Sequence, residues 1–378
     1  MFIPRYRYDT MRRTTKNVLL FIFGSLCIVL YCEYLIYYVV IAQCSWPKLQ
    51  SYAKETSLKV LALSDTHMLG PRKGYWLDKV RREWEMHRAF QTILHIHHPE
   101  VVFILGDVFD EGEWTNNKEF EEYVRRFYKL FAVPEDTQLY VTAGNHDIGF
   151  HNNIRPGSVQ RFNKAFNSTS VKLLTIKDVH FVLINSMAME GDSCSLCTEA
   201  RRRINSVSEI LNCAENPSKC ARNVIQKRNY SQPILLQHFP LYRKSDSVCS
   251  EPDSAPFPER NEPFRLKIDA LSKEATDFLV TKLNPRAVFG GHTHHGCLLY
   301  HSHNISQPIE FYEYSIPSFS WRNRLNPKYM LITISPEEYA VNKCGLPRET
   351  TIAITGVISF CLLAHFILKK KPLGRWNY

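Results

Sequence analysis

The body of this chain lacks the positive charge that its total suggests. The formal net charge is +10 over 378 residues. Arg5, Arg7, Arg12, Arg13 and Lys16 against Asp9 put +4 into residues 1–17, and Lys369, Lys370, Lys371 and Arg375 put +4 into residues 369–378. Only +2 is left for everything between them, so the basic excess belongs to the two ends and not to the globular part. Nucleic acid is therefore not the expected partner. Internal repeats and low-complexity tracts are absent as well, which leaves one large domain or two small ones. Hydrophobic residues at 44% and charged residues at 22% suffice for a sizeable core.

The N-terminal apolar run lacks what a removable leader needs. Val18–Ala42 is 25 residues long, interrupted only by Glu33, whereas a signal-peptide core spans about 7–15 residues and ends in an A-x-A-like site. The second run, Thr351–Leu368, has 18 residues with His365 near its end. It lacks the amphipathic stripe of a buried core helix, and Lys369–Lys371 follow it directly. A bilayer core needs about 20 apolar residues as a helix, so both runs are expected to span, with Glu33 costing about 2.5–3.5 kcal/mol near the centre. The positive-inside rule puts tails 1–17 and 369–378 in the cytosol and residues 43–350 in the lumen, as a domain between helices 18–42 and 351–368. Three cysteines (Cys27, Cys32, Cys361) lie in the apolar runs and eight lie between them. An even number suits disulfides in an oxidising lumen. Cys194, Cys197, Cys213 and Cys220 leave a zinc ribbon open as the alternative to disulfides. Sequons stand at Asn167, Asn229 and Asn304.

Between the runs, β-branched apolar segments alternate with helical patterns, which predicts one α/β domain. The expected strands are Leu58–Ser64, Val101–Leu105, Gln138–Ala143, Val179–Asn185, Pro233–Gln237 and Ala287–Gly290; the expected helices are Tyr75–His97 and Lys118–Phe131. Residues 243–263 are polar and proline-rich and read as a long loop. His87, His95, His97 and His98 read as surface residues, and His295, His301 and His303 as a polar strand edge.

Five of the six strands run into metal-binding residue types. The first leads to Asp65-Thr66-His67, the second to Gly106-Asp107 and on to Asp110, the third to Gly144-Asn145-His146-Asp147, the fifth to His238 and the sixth to Gly291-His292-Thr293-His294. Open α/β sheets gather their sites beyond the carboxyl ends of strands, so these residues can converge although they span about 230 positions. Spacing of two puts Asp65 with His67, and His292 with His294, on one side of an extended backbone.

The ordered set D-x-H, G-D-x-x-D, G-N-H-D, H, G-H-x-H resembles the signature of the calcineurin-like metallophosphoesterases. The resemblance implies a two-sheet β-sandwich flanked by helices, with the site at the carboxyl ends of strands. It also implies two divalent metal ions sharing one aspartate. Asp65, His67, Asp107 and His294 would hold one ion, and Asp107, Asn145, His238 and His292 the other. A nitrogen and oxygen set without thiolate suits Mn²⁺, with Fe²⁺ or Zn²⁺ as alternatives. Such ions lower the pKa of a shared water and neutralise phosphate oxygens. His146 would serve the leaving group, with Asp147 orienting its ring, while Asp110 resembles a supporting residue. A relative that keeps the fold but acts only as a cargo-binding module is the non-catalytic alternative.

Three further stretches, QHFPLYR at 237–243, GGHTHHGC at 290–297 and EYSIPSFSWRNRLNP at 313–327, are similar to a membrane-anchored branch of that family. That likeness implies Mn²⁺ dependence and residence at endoplasmic reticulum exit sites, the ER–Golgi intermediate compartment or the cis-Golgi. It further implies GPI-anchored proteins as substrates, contacts with cargo receptors, and removal of ethanolamine phosphate from the second mannose of the anchor. A cationic ethanolamine favours carboxylates and aromatic faces, for which Asp246, Glu251, Asp253 and Trp321 are the expected readers.

Overall fold

The computed structural model describes residues 5–50, 57–151, 153–190, 194–220, 230–304 and 308–369. The sequon at Asn229 and the basic residues at 370, 371 and 375 lie outside these described residues.

Two sheets pack face to face. The first joins β1 (Leu58–Leu63), β2 (Val101–Leu105) and β3 (Gln138–Thr142) in parallel, and β10 (Lys328–Ile334) and β11 (Tyr339–Gly345) extend it antiparallel beside β1. The second runs in the order β4 (Val171–Ile176), β5 (Val179–Ile184), β6 (Ile234–Leu236), β7 (Ala287–Gly290), β9 (Pro308–Ser315), β8 (Cys297–Asn304). Its four inner strands are parallel. Alternation decides which side chain faces where. Leu58, Val60 and Ala62 of β1 join Phe103, Phe181, Leu236 and Phe289 in the core between the sheets. Leu61 and Leu63 point the other way, into a second core under the helices.

Those helices are α3 (Trp76–His97), α4 (Asn117–Leu130), α6 (Pro156–Phe166), α7 (Ser195–Glu215) and α8 (Lys273–Leu283), with one short turn of helix, α5 (Asn145–Ile148), between β3 and α6. The anticipated α3 and α4 form within a residue of their expected bounds. Asn116 caps α4 by accepting from the Glu119 amide at 3.0 Å, and the Glu119 carboxylate returns a bond to the Asn116 amide. Strands β4, β8, β9, β10 and β11 and helices α5, α6, α7 and α8 lie outside the expected elements. His97 is buried, contrary to expectation: its ring meets the Tyr329 hydroxyl at 3.2 Å and its carbonyl accepts from Trp46 Nε1 at 2.9 Å.

Two helices are long and apolar enough to cross a membrane. The N-terminal one comprises α1 (Arg5–Leu30), one wide π turn at Tyr31–Leu35 and α2 (Ile36–Ile41); the other is α9 (Glu349–Lys369). They pack antiparallel. A Cβ on Gly24 would reach 2.7 Å from the Leu363 methyls, and Cys32 Sγ lies near the Ile352 carbonyl at 3.9 Å, the close small-residue approach that suits helices in lipid. Glu33 is not buried between them in apolar surroundings. It receives Arg81 at 2.7 Å and Trp84 Nε1 at 2.9 Å from α3, because one face of the helix docks on the domain here, with Tyr37 and Ile41 fully buried while Leu35 and Val39 on another face stay exposed.

All eight cysteines between the apolar runs pair, as Cys44–Cys344, Cys194–Cys197, Cys213–Cys220 and Cys249–Cys297. Cys27, Cys32 and Cys361 stay free. The disulfides thus take the cysteines a zinc ribbon would have used. Cys44–Cys344 ties the end of α2 to β11, just ahead of α9.

Candidate metal centre

Beyond the last ladder rung of β1 the chain enters Asp65 and His67 with φ of +56° and +42°; Asp107 (+48°), His292 (+71°) and His294 (+60°) share this left-handed backbone. They make up five of the eleven non-glycine residues of positive φ among the described residues. Left-handed backbone costs a Cβ-bearing residue about 1–3 kcal/mol, so strain is concentrated where the strands end. It is held there by backbone bonds that outlast the strands: the Asp65 amide donates to the Gly106 carbonyl (3.2 Å) and the His67 amide to the Asp107 carbonyl (3.0 Å). Gly106 has φ +84°, and a Cβ there would come to 2.5 Å from the His238 ring, so glycine is required on both counts.

Two clusters result. His67 Nε2 lies 3.0 Å from His294 Nε2 and 3.8 Å from Asp65 Oδ1, and His294 Nε2 lies 3.6 Å from Asp65 Oδ1. Asp107, His238 and His292 form the other. One oxygen, Asp107 Oδ2, stands between the two, 3.6 Å from His67 Nε2 and 3.2 Å from His238 Nε2.

Hydrogen bonds at the outer ring nitrogens fix the tautomers. His67 Nδ1 faces Asp110 Oδ1 at 3.1 Å, His238 Nδ1 the Leu105 carbonyl at 2.8 Å, and His292 Nε2 the Ile268 carbonyl at 2.8 Å. Each of these partners only accepts, so the nitrogen facing it carries the proton and the other holds a lone pair. Asn145 Oδ1 and His292 Nδ1 are buried without a hydrogen-bond partner, and His238 Nε2 has only the Asp107 carboxylate, 3.2 Å away. Burying such atoms unsatisfied costs about 1–3 kcal/mol each, and acceptors cannot satisfy one another. A divalent cation fits them, and the donor set of imidazole, carboxylate and amide oxygen suits first-row metals.

The electrostatics point the same way. Burial, reinforced by the neighbouring His238, pushes the His292 imidazole down to about 3, and burial holds His294 well below its usual value. Both are therefore neutral, as ligands must be. Burial opposes ionisation of Asp107, but the adjacent His238 wins and holds its carboxyl well below the usual range. For His238 burial would lower the value, yet Asp107 raises it to about 9, so a proton and a cation compete for Nε2.

His146 sits at the mouth. Its amide donates to Asp107 Oδ1 (2.8 Å), its ring stands edge-on to His67 with centroids 4.7 Å apart, and its Nδ1 donates to the Asp110 carbonyl at 2.9 Å. That last bond corrects the expected part of Asp147. The Asp147 carboxylate is fully buried and accepts from the amides of Gly144 (2.8 Å), Phe109 (2.9 Å) and Val108 (3.3 Å). It braces the two ligand-bearing turns and leaves the His146 ring to Asp110.

The residues open onto a cleft of about 590 Å³ that is also lined by Phe150, Asp246, Glu259, Glu262, Phe264, Arg265 and Asp269, with Asp269 paired to Arg265 at 2.8 Å and Glu259 3.4 Å from the His295 ring. Of the four expected substrate readers only Asp246 lines it, and it is bound to Arg243 at 2.8 Å. Glu251 pairs with Lys343 (2.8 Å), and buried Asp253 pairs with Lys343 (2.6 Å) and Lys328 (3.0 Å). Trp321 is buried with Nε1 on the Pro347 carbonyl (2.8 Å). These three tie the loop and the following segment to β10, β11 and the foot of α9. Glu259, Glu262 and Asp269 had no sequence signal beyond their place in or beside the long loop.

Residues 58–296 match the family model described as calcineurin-like phosphoesterase. Among curated proteins the chain is 46% identical over 377 residues to Metallophosphoesterase 1 of Gallus gallus, covering 94% of this chain and 93% of that one. It is 45% identical over 350 residues to the Danio rerio protein of the same name (92% and 90%). It is 47% identical over 329 residues to the Metallophosphoesterase 1 homolog of Drosophila melanogaster (86% and 85%). A purple acid phosphatase from yellow lupin (Lupinus luteus) seeds aligns with a TM-score of 0.44 at 9% identity, over 79% of this chain and about half (52%) of that one.

Proposed function

Because this chain belongs to the calcineurin-like phosphoesterase family and is a metal-dependent phosphoesterase, we propose that it is the lumenal, membrane-integral phosphodiesterase that removes ethanolamine phosphate from the second mannose of GPI anchors. The observation that carries the reading is the pairing of two opposite features in one cleft. Its lining holds ligand atoms aimed at cations that bind phosphate, together with the carboxylates of Glu259 and Glu262, which favour an ammonium group, and the ring of Phe264, which already has the Arg243 guanidinium 5.4 Å from its centroid. Ethanolamine phosphate carries both charges. Four disulfides confined to the segment between the apolar helices support an oxidising compartment. Endoplasmic reticulum exit sites and the cis-Golgi, with GPI-anchored proteins as substrates and cargo receptors as neighbours, follow from the likeness in the three stretches quoted above.

Asp65, His67, Asp107 and His294 would hold one ion, and Asp107, Asn145, His238 and His292 the other, with Mn²⁺ our assignment for both. Two such ions supply Lewis acidity, lowering the pKa of bound water and neutralising phosphate oxygens. The chain itself does the rest. Asp110 turns His67 toward the cleft and, through its carbonyl, holds the His146 ring by Nδ1. With Nδ1–H held by that carbonyl, His146 in its imidazolium form would give the Nε2 proton to the departing mannose oxygen and would be left neutral. Asp147 keeps the β2 and β3 turns at one spacing.

The test is rescue of cells lacking this protein with wild type or with His146→Ala, read by mass analysis of the glycan on one anchored reporter. Loss of ethanolamine phosphate with wild type alone is expected. An identical glycan in all three lines would remove the substrate and leave the phosphoesterase to act on another lumenal ester. Rescue by His146→Ala equal to wild type would favour a cargo-binding role.

A further inference from the structure

Among the described residues, the start of α3 carries a run of exposed apolar side chains outside the two long helices. Tyr75 is 86% exposed, Trp76 72%, Leu77 62% and Val80 59%. Their place relative to α1 and α2 gives this a meaning. Contacts between α3 and the N-terminal helix rise together in number: Arg81 meets Glu33 at 2.7 Å, the Arg88 guanidinium stacks on Tyr34 at 4.8 Å, the His95 ring meets Tyr38 at 5.9 Å, and the His97 carbonyl holds Trp46 at 2.9 Å. The two helices therefore run parallel. Going backwards from Arg81, α3 heads toward the same side as α1, where Val29 and Leu30 are exposed and apolar.

Charges set the level of the bilayer surface. Glu33, Arg81, Arg82, Glu85 and Glu349 pair with one another at 2.7–3.0 Å where α3 crosses the N-terminal helix and the foot of α9, and such a group belongs outside hydrocarbon. Trp76 lies five residues before Arg81, about 7–8 Å further along the axis at 1.5 Å per residue. Leu77 lies one turn before Arg81, on the 77-81-84-88 stripe that meets the N-terminal helix higher up. The stripe continues past its last partner and changes from charged to apolar as it does so. Tryptophan and tyrosine favour the headgroup layer.

We propose that Tyr75, Trp76, Leu77 and Val80 are seated in the headgroup and upper acyl layer of the bilayer crossed by the two apolar helices, as a third membrane contact on the side of the catalytic domain. This rests on reading those helices as spans. Its use is orientation. The segment from metal-site residue His67 to Trp76 is short, and within it Lys73 Nζ lies 3.5 Å from Asp110 Oδ2, on the residue that positions His67 and His146. Seating α3 thus fixes the tilt of the cleft toward a phosphodiester that is itself held in the membrane, where a high effective concentration is lost if the geometry is wrong.

The experiment uses the full chain in phosphatidylcholine nanodiscs with exposed Cys27 and Cys361 changed to serine. An environment-sensitive fluorophore is placed at Leu77→Cys or, as a control on α9, at Val357→Cys. Blue-shifted emission and quenching by spin-labelled phosphatidylcholine at both positions are expected. Quenching at 357 with solvent-like emission at 77 overturns the proposal and leaves the spans standing; solvent-like emission at both overturns the spans and the proposal with them. A second readout guards against a labelling artefact. Trp76→Ser with Leu77→Ser should keep turnover of a soluble aryl phosphodiester and lose turnover of a bilayer-embedded one, and equal loss on both overturns the proposal.

Discussion

The two ends of this domain treat buried charge in opposite ways. At the end beside the two apolar helices Glu33, Arg81, Glu85, Arg82 and Glu349 pair acid with base within 2.7–3.0 Å, and of their buried atoms Glu85 Oε1 alone lacks a hydrogen bond. At the metal end Asn145 and His292 leave acceptor atoms buried and unanswered, and Asp65 and Asp107 crowd two carboxylates together so that burial and repulsion raise the Asp65 value. The residue types are similar; the arrangement differs. A group of charges that closes on itself contributes to stability and specificity, whereas one that stays open stores unfavourable energy for a cation to relieve. Changes at the two ends should therefore alter different observables.

The largest effect is expected at the shared oxygen. Asp107→Asn should abolish turnover and remove both ions, as counted by elemental mass spectrometry of purified protein; retention of one ion at full occupancy would show that Asp107 does not serve both clusters. Next, Asp110→Asn should cost about 10–100-fold in metal affinity or turnover, because it orients a ligand without being one. Titration of Mn²⁺ into the stripped protein reads this, and unchanged affinity together with unchanged turnover would remove Asp110 from the site.

A pH test separates the ends further. Burial pushes the Glu85 carboxyl up to about 7 from its ordinary 4.5, even with Arg81 and Arg82 beside it. The folded value is raised, so its contribution is full below pH 4.5 and is lost as pH rises through about 7. That shift corresponds to about 3 kcal/mol at 1.4 kcal/mol per unit. Glu85→Gln should flatten the fall of melting temperature across this window, and an unaltered slope would assign the dependence elsewhere.

The smallest effects carry opposite signs and sharpen the contrast most. In chelator, Asp65→Asn should raise stability by about 1–2 kcal/mol, since it removes a buried carboxylate that burial and the neighbouring Asp107 disfavour more than its His292 amide and histidine neighbours favour it. Glu33→Gln should lower stability by about 1 kcal/mol, the pair being partly exposed, and leave turnover of a soluble diester intact. Destabilisation by both changes, measured by urea unfolding, would mean that the metal end is no more strained than the seat.

Much of the site was legible because it is built from short local patterns at strand ends: apolar runs of five or six residues, then Asp, Asn or His. Such runs bury on both faces and announce themselves without partners. The edge strands β8 and β11 alternate weakly and acquire their identity from β9 and β10, so nothing local marked them. The assignment of Asp147 to the His146 ring failed for a similar reason. The family resemblance implied a His146–Asp147 pair, but helix α5 turns the two side chains apart and Asp147 finds three amides instead.

Sequence alone determined the candidate ligand set, the two apolar helices and the even count of cysteines between them, because each is a property of residue type and spacing. Only the tertiary structure decided which atoms stay unpaired, that Glu33 faces Arg81 and Trp84 instead of lipid, and that Glu259, Glu262 and Asp269 line the cleft rather than Glu251 and Asp253. Those outcomes depend on distances between residues far apart in the chain. A carboxylate's role follows from which cation it meets, and folding chooses that partner.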